Sequence, residues 1–152
     1  MTATESLTVT VTDEQGLLIE RVFDAPPELV WRAWTEAEHF ARWYGPEGFT
    51  VPECEIDFRV GGRYSLTMRS PDGWEMRNTG VYQEIVFLEH FVATMEAELH
   101  DDTLLTVTLE DLGDGRTKLT LRQDGWADAD MATGAGGGWA QAFDKLATEL
   151  AR

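Results

Sequence analysis

Alternation of apolar and polar residues dominates the middle of the chain and indicates half-buried β-strands. The alternation is most regular over residues 63–69, where Tyr64, Leu66 and Met68 share one face. Further β-prone segments occupy residues 50–58, 74–85, 90–98, 103–110 and 116–123. Most of the turns between them are short, so consecutive strands are expected to pair as an antiparallel meander.

Before this β region, the pattern predicts one or two strands and then two short helices. Residues 7–11 and 17–23 form either one long interrupted strand or a hairpin, because polar turn residues lie between them. Pro27 suits the first turn of a helix. Residues 35–38 have the spacing of a capping box, so a second helix is expected to begin there and to end at Gly45.

After the β region, the hydrophobic period becomes that of an amphipathic helix. Trp139, Phe143, Leu146 and Leu150 recur at intervals of three or four residues. The glycine-rich segment 134–138 precedes most of this pattern. We expect it to be a flexible loop over the mouth of a cavity, because it lacks the glycine spacing of a phosphate-binding loop.

These elements predict an α+β fold of the helix-grip kind. A curved antiparallel sheet of about six or seven strands would wrap around the long carboxyl-terminal helix, with two short helices after the first strand. Sheet and helix must bury their apolar faces on each other, and the space left between them predicts an internal cavity. The pattern contains no linker or repeat, so residues 1–152 are expected to form a single domain.

A series of short motifs supports this fold. They are residues 21–31, 43–46 and 57–64, Gly80, and residues 84–85 and 138–139. In this combination the chain resembles the START-like superfamily, also called SRPBCC or the birch-pollen-allergen fold. Within it, the chain is similar to the group related to the carboxyl-terminal domain of the activator of heat shock protein 90 ATPase. The resemblance implies one START-like domain, and functions that range from binding lipids or hormones to cyclising polyketides or stimulating a chaperone ATPase.

Large apolar side chains on the predicted inner faces are candidates for a ligand site. Six tryptophans and five methionines favour such a site, because aromatic rings form good walls and methionine adapts to different shapes. The candidate residues are Trp34, Trp43, Tyr64, Leu66, Met68, Trp74, Met76, Tyr82, Trp139 and Phe143. The alternative for each is ordinary core packing. Trp43 and Tyr44 line the cavity mouth or else attach the second helix to the sheet.

Polar residues on the same predicted face as Trp74 are candidates for chemistry inside the cavity. Strand parity places Asn78, Tyr82 and Glu84 there, and an inward carboxylate could act as a general acid or base. A β-bulge anywhere in the strand would reverse this assignment. Catalytic residues are therefore left unassigned.

The sequence predicts neither a metal site nor a cofactor. Glu53, Glu55 and Asp57 alternate along one strand and are expected to face water, with Asp57 pairing with Arg59. The three histidines lack a paired metal-binding spacing.

The formal net charge of −16 argues against nucleic acid as a partner, because binding a polyanion needs clustered basic residues. Anionic membrane surfaces are disfavoured for the same reason, whereas a basic partner protein is compatible with this charge. No apolar segment approaches the roughly 20 residues that span a bilayer, and no signal-peptide pattern opens the chain. We therefore expect no membrane insertion and a cytoplasmic location, which the single cysteine, Cys54, also favours.

The favoured function is binding of a small hydrophobic or aromatic molecule in an internal cavity, in a carrier, sensor or sequestering role. One alternative is an enzyme similar to polyketide cyclases and dehydratases, with Glu84 or Tyr82 as acid or base. The other is a protein interaction similar to that of the chaperone-ATPase activator.

Overall fold

The computed structural model describes residues 7–11, 16–97 and 100–151, with side chains for residues 16–97 and 102–151. Residues 13–15 of the predicted turn 13–16 lie outside the described residues, as does the last residue of the predicted strand 90–98.

Eight strands in the described part of the chain form one antiparallel sheet. They are β1 (Leu7–Val11), β2 (Leu17–Phe23), β3 (Thr50–Ile56), β4 (Arg63–Arg69), β5 (Glu75–Val86), β6 (His90–Ala97), β7 (His100–Gly113) and β8 (Arg116–Asp124). The sheet order is β1-β2-β8-β7-β6-β5-β4-β3, so β3 to β8 form the predicted meander. The sheet has one strand more than the predicted maximum because β1 and β2 form a hairpin.

Three helices in the described residues complete the fold and confirm the helix-grip prediction. The short helices α1 (Pro27–Thr35) and α2 (Ala37–Phe40) follow β2, and the long helix α3 (Ala129–Leu150) ends the described chain. Helix α3 buries Trp139, Phe143 and Leu146, and the ring of Phe143 meets that of Phe23 on β2 edge to face at 5.8 Å. The core therefore lies between the sheet and α3.

The prediction of a loop at residues 134–138 is wrong, because this segment lies inside α3. The helix begins earlier than its hydrophobic pattern, at the cap residue Asp128, whose carboxylate accepts a hydrogen bond from the backbone N–H of Met131 at 2.9 Å. Glycine disfavours a helix by only about 1 kcal/mol per residue relative to alanine. We infer that the cap and the packing of residues such as Trp139 offset that cost.

None of the helices in the described residues combines the length and the hydropathy that crossing a bilayer requires.

Candidate functional site

A cavity of about 410 Å³ lies between the first half of α3 and the inner face of the sheet. Its lining residues come from the loop after α2, from strands β4, β5, β6 and β8, and from α3 and the segment before it. They are Tyr44, Gly45, Pro46, Met68, Met76, Asn78, Met95, Gln123, Trp126, Met131, Gly134, Ala135, Gly138, Trp139 and Ala142. The volume lies in the range of small-molecule sites in proteins, about 300–1,000 Å³.

Methionine side chains dominate the apolar part of this wall. Met68, Met76, Met95 and Met131 all line the cavity, and Met1 is the only other methionine in the chain. Methionine is flexible and polarisable, so it adapts to ligands of different shape and makes favourable contacts with aromatic rings. Every internal methionine of the protein therefore contributes to one adaptable surface.

The glycines of α3 explain why this end of the interior is open. The helix residues that line the cavity, Met131, Gly134, Ala135, Gly138, Trp139 and Ala142, recur at intervals that place them on one helical face. Four of these six residues are glycine or alanine, so the face carries little side-chain volume. A Cβ atom placed on Gly134 would meet no atom within 4 Å. The segment that we expected to form a mobile loop instead provides space.

The loop after α2 forms one edge of the cavity, and Lys145 on α3 holds this loop in place. Its ammonium group donates hydrogen bonds to the carbonyl oxygens of Pro46 and Phe49, both at 3.2 Å, and of Tyr44, at 3.4 Å. Partial burial lowers the pKa of Lys145, against the opposing effect of the nearby Glu47 carboxylate. One side chain thus fixes the loop that carries Tyr44.

Two amide side chains bring polar groups to the cavity, and Gln123 is the first. It is completely buried. Its Oε1 accepts a hydrogen bond from the indole N–H of Trp139 at 2.8 Å. Its Nε2 donates to Thr103 Oγ1 at 2.8 Å and lies 3.3 Å from the sulfur of Met95. Both ends of this amide are satisfied by the protein, so Gln123 fixes the position of Trp139 in the wall.

The second amide, Asn78 on β5, is only half satisfied. It is 2% exposed, and its Nδ2 donates to the hydroxyl oxygen of Tyr44 at 2.9 Å. Among the described residues, none donates a hydrogen bond to Asn78 Oδ1. Burial raises the pKa of Tyr44 to about 12, outweighing the opposite effect of the Asn78 hydrogen bond. The Tyr44–Asn78 pair is therefore uncharged at neutral pH.

The residues predicted for the site divide between the cavity and the core. Met68, Met76 and Trp139 line the cavity. A second space of only about 30 Å³ is surrounded by Trp34, Tyr64, Leu66, Tyr82 and Trp139. Trp43 and Phe143 are completely buried and line neither space.

Stacked and edge-to-face rings fill the deeper part of the interior. Trp34 lies 4.8 Å from Trp43 and 5.8 Å from Trp139, measured between ring centroids. The indole N–H of Trp43 donates to the carbonyl oxygen of Ala33 at 2.9 Å, which attaches α1 to the segment after α2. Trp43 is therefore a core residue that joins α1 to the segment after α2, whereas its neighbour Tyr44 lines the cavity.

The prediction that Trp74 lines the cavity is wrong. Its side chain is 48% exposed, and it precedes β5, which begins at Glu75. Trp74 therefore lies in the turn before the strand, where the inward and outward alternation of strand residues does not apply. Asn78 lies inside β5 and does face the cavity as that parity predicted.

A register shift corrects the position of Glu84. The pairing between β5 and β6 is irregular between Tyr82 and Glu84, and such an irregularity reverses which side chains face inward. Tyr82 is buried, whereas Glu84 is exposed and pairs with His90. The carboxylate that was considered as an inward acid or base lies on the outer surface.

Several cavity residues were not predicted, and some left a signal in the sequence. Gln123 continues the inward positions of Leu119 and Leu121 on β8, and Met95 continues those of Phe91 and Ala93 on β6. A polar residue at an inward position is itself a signal of a site, because buried polar groups need partners. Trp126 and Met131 lie outside the strands and left no such signal.

The described residues contain no group of three histidine, cysteine, aspartate or glutamate side chains placed to hold a metal ion. Glu53, Glu55 and Asp57 are exposed. Asp57 forms the predicted ion pair with Arg59, with 2.9 Å between carboxylate oxygen and Nε.

Comparison with known proteins agrees with this architecture. The family model for Activator of Hsp90 ATPase homolog 1-like proteins matches residues 24–151. Protein CV1439 from Chromobacterium violaceum is 32% identical, and the match covers 89% of this chain and 96% of that one with a TM-score of 0.82. The AHSA1 protein (SPO3351) from Silicibacter pomeroyi is 25% identical, with coverages of 90% and 97% and a TM-score of 0.80.

CalU16 from Micromonospora echinospora, at 21% identity, shares the fold with a TM-score of 0.69 and coverages of 95% and 83%. No curated protein matches this chain. Because the family model spans most of the sequence, the chain belongs to the Activator of Hsp90 ATPase homolog 1-like family, within the START-like superfamily.

Proposed function

We propose that this protein binds a small, uncharged and largely apolar molecule in the cavity between α3 and the sheet. The observation that carries the proposal is the wall itself, in which four methionines and two tryptophans surround a volume of about 410 Å³. A surface of this kind favours flat aromatic or other apolar ligands, because thioether groups and aromatic rings attract each other.

The polarity of the wall supports an uncharged ligand. Among the described lining residues, none is an aspartate, glutamate, lysine, arginine or histidine. A charged ligand would lose its hydration on entry without gaining an ion pair, which is unfavourable. The net charge of −16 adds long-range repulsion against anions.

The cyclase-like alternative has less support. Its two candidate groups were Glu84, which is exposed, and Tyr82, whose pKa is raised chiefly by burial. A buried phenol that holds its proton this firmly is a poor general base at neutral pH. A non-catalytic carrier, sensor or sequestering role is therefore the better proposal, and the single cysteine is consistent with a reducing compartment such as the cytoplasm.

Ligand binding can be tested with variants of two helix glycines. Gly134 lines the cavity and Gly137 does not. At either position an added Cβ would meet no atom within 4 Å. Both Gly134→Leu and Gly137→Leu should stabilise the helix by a similar amount, because leucine favours helices more than glycine. We expect only Gly134→Leu to obstruct ligand entry.

The measurement is isothermal titration calorimetry and thermal unfolding with uncharged polycyclic aromatics, supplemented by native mass spectrometry of molecules that copurify with the protein. Binding should raise the melting temperature of the wild-type protein and of Gly137→Leu by several degrees at a hundredfold excess over Kd. Ligand should raise the melting temperature of Gly134→Leu much less. If no apolar compound binds the wild-type protein, or if both variants bind equally well, the proposed site is wrong.

A further inference from the structure

Asn78 is the only asparagine in the chain, and it occupies an unusual position for an amide. It lies on β5, where it pairs in register with Leu66 on β4, and it lines the cavity. Its side chain is 98% buried, since 2% of it is exposed. Its Nδ2 is engaged by Tyr44, and no described side chain or backbone group of the protein donates to its Oδ1.

A buried amide oxygen without a donor is destabilising, and proteins satisfy nearly all such groups. Gln123 shows how this fold satisfies a purely structural amide, since both of its ends are bonded to neighbouring side chains. A leucine at position 78 would have the same branched shape and no amide oxygen that needs a donor. The half-satisfied amide of Asn78 therefore points to a partner that comes from outside the chain.

The location of the unpartnered oxygen indicates what kind of partner this is. The indole N–H of Trp34 is another buried group for which the described residues provide no partner, and Trp34 surrounds a space of only about 30 Å³. Asn78 instead lines the space of about 410 Å³ that is large enough for a ligand. The Tyr44 hydroxyl oxygen accepts the hydrogen bond from the amide nitrogen at 2.9 Å, which leaves the amide oxygen as the end without a donor.

We propose that Asn78 is a specificity-determining residue, whose side-chain oxygen accepts a hydrogen bond from an O–H or N–H group of an uncharged, mainly apolar ligand. This inference rests on the proposed function and narrows the ligand class to phenols, alcohols or neutral arylamines with one buried donor. The methionines and tryptophans provide the apolar contacts, and Asn78 sets the orientation of the ligand. Tyr44 is a positioning residue, because it acts on the ligand through Asn78.

The proposal can be tested with three probes that share one aromatic skeleton. Naphthalene has no polar group, 2-naphthol has a donor, and 2-methoxynaphthalene has an acceptor without a donor. We expect wild-type protein to bind 2-naphthol roughly three- to tenfold more tightly than 2-methoxynaphthalene, the gain of about one satisfied hydrogen bond. Affinities are measured by isothermal titration calorimetry at neutral pH.

The variant Asn78→Leu shows whether this preference comes from Asn78. We compare the ratio of the Kd of naphthalene to that of 2-naphthol in the variant and in wild-type protein, because this comparison cancels the different hydration of the two probes. The ratio should fall roughly three- to tenfold in Asn78→Leu. The matched control is Gln83→Leu, which removes an amide from an exposed position of the same strand and should leave the ratio unchanged.

The outcomes separate this inference from the proposed function. If the probes bind but 2-naphthol has no advantage over 2-methoxynaphthalene, the role of Asn78 is wrong and the ligand cavity stands. An equal loss of preference in Gln83→Leu would also overturn it. If none of the probes binds wild-type protein, both proposals fail. Should Asn78→Leu not fold, 2-naphthol that binds wild-type protein no more tightly than 2-methoxynaphthalene would still overturn the role of Asn78.

Discussion

At the scale of single residues, Gly80 shows how one missing side chain organises three strands. Gly80 on β5 pairs directly with Tyr64 on β4. The ring of Tyr64 lies across the glycine, and its hydroxyl donates to the carbonyl oxygen of Thr94 on β6 at 2.8 Å. A Cβ at position 80 would clash with that carbonyl oxygen and with the Tyr64 ring. Only glycine allows the tyrosine to bridge from β4 to β6.

We therefore predict that Gly80→Ala destabilises the protein by at least about 2 kcal/mol, because part of the clash is with backbone that cannot move aside. The measurement is the free energy of unfolding from urea denaturation followed by circular dichroism. A loss of less than about 1 kcal/mol would mean that the Tyr64 ring is free to rotate away. In that case Tyr64 would no longer donate its hydrogen bond to the carbonyl oxygen of Thr94.

At the scale of elements, the hydrophobic period predicted most of the fold, and its failures have physical causes. The predicted strand 63–69 coincides with β4, because its alternation is uninterrupted. The register shift between Tyr82 and Glu84 was not predictable, since a bulge leaves no mark in composition. The first half of α3 was missed because glycines disfavour helices locally, whereas tertiary packing and the Asp128 cap determine the outcome.

The same helix yields a prediction about stability. Gly137→Ala should raise the free energy of unfolding by roughly 0.8–1 kcal/mol, because alanine favours a helix and its methyl group would meet no atom within 4 Å. Gly73→Ala is the matched control. Its Cβ would also meet nothing within 4 Å, but its backbone has a φ of +89°, which L-residues rarely adopt. The control should lose about 1 kcal/mol or more, and a loss of stability in both variants would contradict the helical assignment of residue 137.

At the scale of the whole molecule, the cavity depends on how volume is distributed along the interior. The sequence predicted that sheet and helix leave a space between them. It did not show which of the ten candidate residues line that space and which pack in the core. Aromatic rings such as those of Trp34 and Phe91, whose centroids are 5.9 Å apart, fill one end. At the other end, α3 presents Gly134 and Gly138. Which end remains open depends on the register of α3 against the sheet, and local periodicity does not contain that information.

The three tyrosines provide a test of the interior as a whole, because they are the only tyrosines in the chain and all are buried. Burial raises the pKa of Tyr44 to about 12 and raises the pKa of Tyr64 and Tyr82 further. In the unfolded chain these groups lose their protons near pH 10. A raised pKa in the folded state means that stability is fully retained below about pH 10 and falls as the pH rises, by up to about 1.4 kcal/mol per pH unit for each tyrosine.

We therefore predict that the ultraviolet absorbance of tyrosinate develops in one step together with the loss of circular dichroism, rather than as a gradual titration near pH 10. In Tyr82→Phe, one ionising group is absent, so stability should fall less steeply with pH and unfolding should begin at a higher pH. Tyrosinate absorbance that reaches its full value while the circular dichroism remains native would show that water reaches these rings in the folded protein. The aromatic filling between α3 and the sheet would then be far looser than the structure describes.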